Sequence, residues 1–126
     1  MWLKQNLKTT KFNNGDAIPN YVSNSTYSNL TTAAYSNFNN DSTTANIYGK
    51  MYNWYAVNDS RGLCPSGWHV PTDSEFLALT TYLGGDLIAG GKLKETGLNH
   101  WASPNAGASD NTAFIVTGKQ IGRAHV

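Results

Sequence analysis

A chain of 126 residues with 40% hydrophobic content is long enough to bury a core as a single domain. Its formal net charge of +1 and 13% charged content exclude the highly charged disordered chain and the basic surface of a nucleic-acid binder. One cysteine excludes an internal disulfide and a cysteine metal cluster, and no apolar run approaches the ~20 residues of a membrane-spanning helix.

Trp2, Leu3 and Leu7 read as core anchors of a first extended segment, although the alternation around them is too sparse to define a strand. Asn13-Asn14-Gly15-Asp16 is a turn by composition, since Asn and Gly tolerate left-handed backbone, and Ile18-Pro19 continues extended. Tyr21 to Asn46 is a tract of Asn, Ser and Thr punctuated by Tyr21, Tyr27, Leu30, Tyr35 and Phe38. A structureless loop of that length is unusual inside a compact domain, so part of Asn29 to Tyr35 is expected to form a short helix. The rest is expected across the surface, its aromatics either tethering it to the core, the commoner role, or stacking on sugar rings. The glycosylation triplets at Asn24, Asn29, Asn40 and Asn58 arise readily by chance in such a composition.

In the aromatic stretch from Ile47 to Val57, Tyr48, Tyr52 and Tyr55 fall at helical spacing, with Met51 and Trp54 on an adjacent face. The composition suits a strand equally well, so both states stay open, and in either the rings should form a large share of the core. Pro65 and Pro71 then bracket an extended or turned lead-in, because each fixes its own φ and pushes its predecessor out of the α region. Thr72 stands at an N-cap position with Asp73 and Glu75 in the first turn. Thr72 and Glu75 form the T-x-x-E capping box, and both acids suit the positive end of a helix dipole. Phe76, Leu79, Tyr82 and Leu83 follow at helical spacing until Gly84-Gly85, which predicts a core-facing helix near Thr72–Leu83. Beyond it, Gly84-Gly85-Asp86 and Gly90-Gly91 bracket a short apolar segment, and Lys92 to Glu95 reads as a turn or short strand. A loop runs from Trp101 through Pro104, Asn105 and Gly107, and Phe114-Ile115-Val116 is a buried strand candidate. Residues 121–126 read as a translated sequencing adapter, so a metagenomic fragment without its C-terminal part is expected. A domain beginning on Trp2 suggests that an upstream strand is missing too, so the domain, truncated at both ends, is expected over residues 1–120.

Candidate chemistry is sparse. Cys64 has no evident base, since His69 is near in sequence but no third group orients it, so it reads as structural. His69 and His100 lack metal-ligand spacing, and Glu75 is better explained as a capping residue than as a general acid. Asn105, Asp110 and Asn111 could offer oxygens to calcium, but a loop of this composition is more often only a loop. Gly84-Gly85 and Gly90-Gly91 do not form a phosphate cradle, because no Lys-Ser/Thr follows. No catalytic residue, cofactor or metal ligand is assigned.

Three blocks in this order resemble the Fibrobacter succinogenes major paralogous domain. The first is Trp2-Leu3-Lys4-Gln5-Asn6-Leu7 with Gly15, and the second runs from Tyr48-Gly49 through Tyr52-Asn53-Trp54 to Val57. The third is Leu63-Cys64-Pro65-Ser66-Gly67-Trp68-His69-Val70-Pro71-Thr72 with Glu75, and Gly90-Gly91, Trp101 and Phe114 fit the same pattern. The resemblance implies an α+β, C-type lectin-like fold: a small, twisted, mostly antiparallel sheet with one or two helices and long loops. It implies Trp2, Asn6, Leu7, Tyr48, Gly49, Tyr52, Asn53, Trp54, Cys64, Pro65, Gly67, Trp68, Pro71, Thr72, Glu75, Trp101 and Phe114 as structural motif residues. It further implies a secreted or surface-anchored bacterial module, often a lipoprotein and chiefly from Bacteroidetes or Fibrobacteres, in a family without an established activity. The expected role is non-catalytic, binding a glycan or a surface protein, with a structural spacer as the second reading. An oxidase like the related formylglycine-generating enzymes would need a pair of cysteines. Thr117-Gly118-Lys119 departs from the family's turn, and its final cysteine-bearing strand is missing. Pairing of Cys64 with that cysteine in a complete protein is implied by the resemblance and fits an oxidising compartment.

Overall fold

The computed structural model describes residues 1, 2 and 5–109. The core anchor expected at Leu3, the strand expected at Phe114-Ile115-Val116, Asp110 and Asn111 of the calcium candidate, Thr117-Gly118-Lys119 and residues 121–126 lie outside the described residues. The fold is α+β, with five helices and a two-stranded antiparallel sheet among the described residues, more helices than expected. The chain divides into two compact units, one of Asn6–Val70 and the other joining Met1–Gln5 to the stretch from Pro71 onward.

In the unit of Asn6–Val70, helix α1 spans Asn24–Ser28, capped by the Ser23 hydroxyl, which accepts from Thr26 N. The helix expected within Asn29 to Tyr35 therefore falls earlier, where Ser23 supplies the cap. Strand β1, Tyr35–Asn37, pairs antiparallel with β2, Lys50–Tyr52, in the register Tyr35 to Tyr52, Ser36 to Met51 and Asn37 to Lys50. Helix α2, Ala45–Tyr48, precedes β2, and helix α3, Trp54–Val57, follows it. The stretch that read equally as helix or strand is thus both in turn. It changes state at Gly49, whose φ of +71° ends α2, and again at Asn53, whose side chain caps α3. A Cβ at Gly49 would also lie 2.5 Å from Asn6 Cβ and 2.9 Å from Leu7 O.

The core of this unit is Phe12, Ile18, Tyr35 and Leu63, with Leu7, Ala33, Tyr52 and Val57 packed against it. Two rings expected inside are outside: Trp54 is 53% exposed and Tyr55 43%. In the four-residue α3 the buried position is taken by Ala56, and the two large rings fall on the exposed side. Gly67, with φ of +82°, permits the turn in which Trp68 N donates to Pro65 O at 2.9 Å, between two prolines as the lead-in required.

In the other unit, helix α4 spans Asp73–Tyr82 and carries both halves of the capping box. Thr72 N donates to Glu75 Oε2 at 2.8 Å, and Glu75 N donates to Thr72 Oγ1 at 3.3 Å. Gly84 and Gly85, both at positive φ, end it by donating to Thr81 O and Thr80 O. Its buried stripe is narrower than expected: Leu83 is buried and Leu79 partly so, whereas Phe76 is 46% exposed and Tyr82 86%. Phe76 instead meets the half-buried Trp2 edge-on, ring centroids 5.7 Å apart.

Helix α5, Asp86–Leu93, corrects the reading of a bracketed apolar segment followed by a turn. Asp86 in its first turn and Lys92 in its last suit the helix dipole, and Ala89 and Leu93, four apart, bury against Leu83. Of the glycine pair, Gly91 has a packing reason. A Cβ at Gly91 would collide with the Gly107 carbonyl, and Ser109 N donates to Gly91 O at 3.1 Å, whereas the space at Gly90 is open.

Candidate functional site

The motif residues of the Asn6–Val70 unit are brought together by side-chain and backbone donors that bond distant backbone carbonyls. Asn6 Nδ2 donates to Tyr48 O at 2.6 Å, Lys50 N donates to Leu7 O at 3.0 Å, and the Tyr52 hydroxyl donates to Thr9 O at 2.7 Å. Burial, with Tyr35 and Cys64 as neighbours, pushes the Tyr52 hydroxyl well above the usual phenol range, so it stays a donor. Most aromatics of the polar tract are tethers. The half-buried Tyr27 donates its hydroxyl to Met51 O at 2.9 Å, Tyr35 is core, and Phe38 packs edge-on to Tyr48 at 5.4 Å.

Asn53 is the pivot. Its Oδ1 accepts from Ala34 N at 3.1 Å and from Ala56 N at 3.0 Å, while its Nδ2 donates to Thr32 O at 2.8 Å. One carboxamide therefore caps α3 and staples the Thr32–Ala34 backbone beside it. Between these two walls and the following Asn58–Arg61 loop lies an open groove of about 370 Å³, within the roughly 300–1,000 Å³ usual for small-ligand clefts. Trp54 and Tyr55 line one side, Thr31 and Thr32 another, and Asn58 and Ser60 belong to the loop.

The loop is held rigidly. Arg61 Nε and Nη2 each donate at 2.8 Å to the two Asp59 carboxylate oxygens, and Nη1 donates to Asp16 Oδ2 at 3.1 Å. The guanidinium lies over the Phe12 ring, 4.1 Å from its centroid, so the loop is also seated on the core. Hydrogen bonds from the Arg61 side chain and backbone hold the Asp59 carboxyl down at about 2. The Asn14 amide and then Arg61 hold Asp16 below the usual carboxylate range, and both acids in turn raise Arg61.

The family model described as the Fibrobacter succinogenes major domain matches residues 1–125. The chain belongs to this family. No curated protein and no solved structure matches the chain significantly.

In this major domain the remaining motif residues do not converge on the groove. Cys64 is half-buried and unbridged, and burial pushes its thiol up, away from the thiolate a nucleophile needs. Pro65 begins the turn to Trp68 and Pro71 directly precedes the Thr72 cap, both exposed, and Trp68 is half-buried. Thr72 and Glu75 are occupied with each other in the capping box, as the spacing predicted. Trp101 lies under Lys94, whose Nζ is 4.7 Å from the ring centroid and donates to Ala106 O at 2.9 Å. Phe114 lies outside the described residues. Among those described, no three His, Cys, Asp or Glu side chains gather as metal ligands, and no helix is long and apolar enough to cross a membrane. His100 Nδ1 is 2.7 Å from Glu95 Oε2, and Asn105 Nδ2 donates to Glu95 O at 2.7 Å and Gly97 O at 2.9 Å, bracing that loop.

The groove is not legible in the sequence because the spacing of Trp54 and Tyr55 places them with the core rings. The signal was Asn53 itself: an N-cap residue directly before two aromatics starts a new short helix and takes both out of the preceding periodicity.

Proposed function

We propose that this major domain is a non-catalytic carbohydrate-binding module of a bacterial cell surface or secreted protein, with a C-type lectin-like arrangement of loops on a small sheet. The observation that carries the reading is the exposed Trp54–Tyr55 pair on the wall of a groove otherwise rich in hydroxyl and amide groups. A pyranose ring has an apolar C–H face and a rim of hydroxyls. The exposed Trp54 and Tyr55 rings at the groove offer apolar surface for the face, while Thr31, Thr32, Asn58 and Ser60 can both donate to and accept from the rim. The capped helix and the clasped loop hold these groups before a ligand arrives, which lowers the entropy lost on binding.

The test is a panel of plant and bacterial polysaccharides with the full chain, followed by calorimetry on the binders. Trp54→Ala should abolish binding while the far-ultraviolet circular dichroism stays unchanged. Failure of the wild-type chain to bind any member would overturn the proposal and favour a structural spacer.

A further inference from the structure

We infer that the groove selects uncharged glycans and rejects uronate-bearing ones, because its lining cation is already neutralised within the protein. The inference rests on the glycan reading above and adds the ionic class of the ligand. Arg61 is the single Lys or Arg among the groove-lining residues, and an arginine beside an aromatic wall would ordinarily suggest a carboxylate ligand. Here the edge that presents Nε and Nη2 is taken by Asp59 in a bidentate grip, and Nη1 at the other edge already donates to Asp16. The face of the guanidinium is against Phe12. Neither edge is left for a carboxylate to grip bidentately without displacing an intramolecular partner.

Two carboxylates, Asp16 and Asp59, against one guanidinium leave one negative charge in excess at the loop. A uronate arriving there meets like charge and has to displace an intramolecular partner. A neutral sugar meets neither obstacle, and its hydroxyls can donate to carboxylate lone pairs that Arg61 leaves open. Charge in this arrangement excludes ligands, which is specificity by repulsion.

The experiment uses the full chain and pairs of oligosaccharides that differ only at C6: cellohexaose against the β-1,4-glucuronate hexamer, and β-1,4-mannohexaose against the β-1,4-mannuronate hexamer. Calorimetry at low salt should show the neutral member of a pair binding at least about tenfold more tightly, with the gap shrinking as salt screens the repulsion. Asp16→Asn, which removes the excess charge without touching the groove wall, should narrow the gap several-fold. A uronate that binds as tightly as its neutral partner would overturn the ionic inference and leave the glycan reading standing. A gap insensitive to both salt and Asp16→Asn would overturn it too, because the discrimination would then be steric. If neither member of either pair binds and the wider panel is also blank, the glycan reading itself fails, and the inference with it.

Discussion

Each of the two compact units is stabilised internally by a different kind of contact. In Asn6–Val70, side-chain amides and hydroxyls reach backbone tens of residues away: Asn6 to Tyr48, Tyr52 to Thr9, Asn53 to Thr32 and Ala34. In the unit built on α4 and α5, the contacts that shape the two helices are close in sequence, namely the Thr72–Glu75 box, the Gly84–Gly85 stop, and Leu79, Leu83, Ala89 and Leu93, although Trp2–Phe76 and Gly91–Ser109 span longer separations. The lesson is that a sheet of three residues per strand cannot supply enough ladder bonds to organise a region rich in Asn, Ser and Thr. Polar side chains share that work with backbone bonds outside the ladder, such as Asn13 N to Gly62 O and Lys50 N to Leu7 O, and each such side chain is consequently hard to replace. The helical pair spreads its stability over many small local terms.

Substitutions should separate the two regimes. The largest effect is expected from Asn53→Ala, which leaves the Thr32 carbonyl and the Ala34 amide without their side-chain partner, at a cost of about 2–3 kcal/mol in urea denaturation. Asn53→Asp keeps the acceptor and loses the donor, so it should cost less, and equal losses would sink the staple account. Next comes the glycine pair of α5. Gly91→Ala drives a methyl into the Gly107 carbonyl and should destabilise by about 2 kcal/mol. Gly90→Ala enters open space and should stabilise by about 0.5–1 kcal/mol, read as a rise in melting temperature. Thr72→Ala should cost about 1 kcal/mol, the ordinary worth of an N-cap, with faster amide exchange confined to the first turn of α4.

The smallest effect is ionic. Asp59, held at about 2, has its carboxyl depressed below the unfolded value. Its contribution is therefore fully present above the ordinary carboxylate range, about 4, and is lost as pH falls through about 2. The clasp is exposed, so the change in overall stability should be slight. The cleaner measurement is nuclear magnetic resonance titration of the Asp59 carboxyl carbon, and a midpoint near 4 would show that Arg61 does not hold it.

What the sequence made legible followed the same division. The capping box and the glycine stop of α4 were readable because each needs only residues three or four apart. Helix α5 was not, because Gly90-Gly91 reads as a breaker unless the Gly107 carbonyl is known to occupy the space beside it. The groove was hidden for a related reason. Tyr48, Tyr52 and Tyr55 keep a helical period on paper, but Gly49 and Asn53 interrupt the backbone between them, so Tyr52 packs against the core while Tyr55 faces solvent. Asn53 itself could be named as a motif residue, whereas its three partners lie on both sides of it along the chain and cannot be paired without coordinates.

All three partners of that carboxamide are main-chain groups, and peptide groups are the same whatever side chain they carry. Thr31 and Thr32 are exposed on the wall it secures, so they can be exchanged for other residues while the anchoring bonds persist. A lineage could thus retune what the wall touches, one substitution at a time, without re-engineering how it is mounted: an interchangeable facing on a permanent bracket.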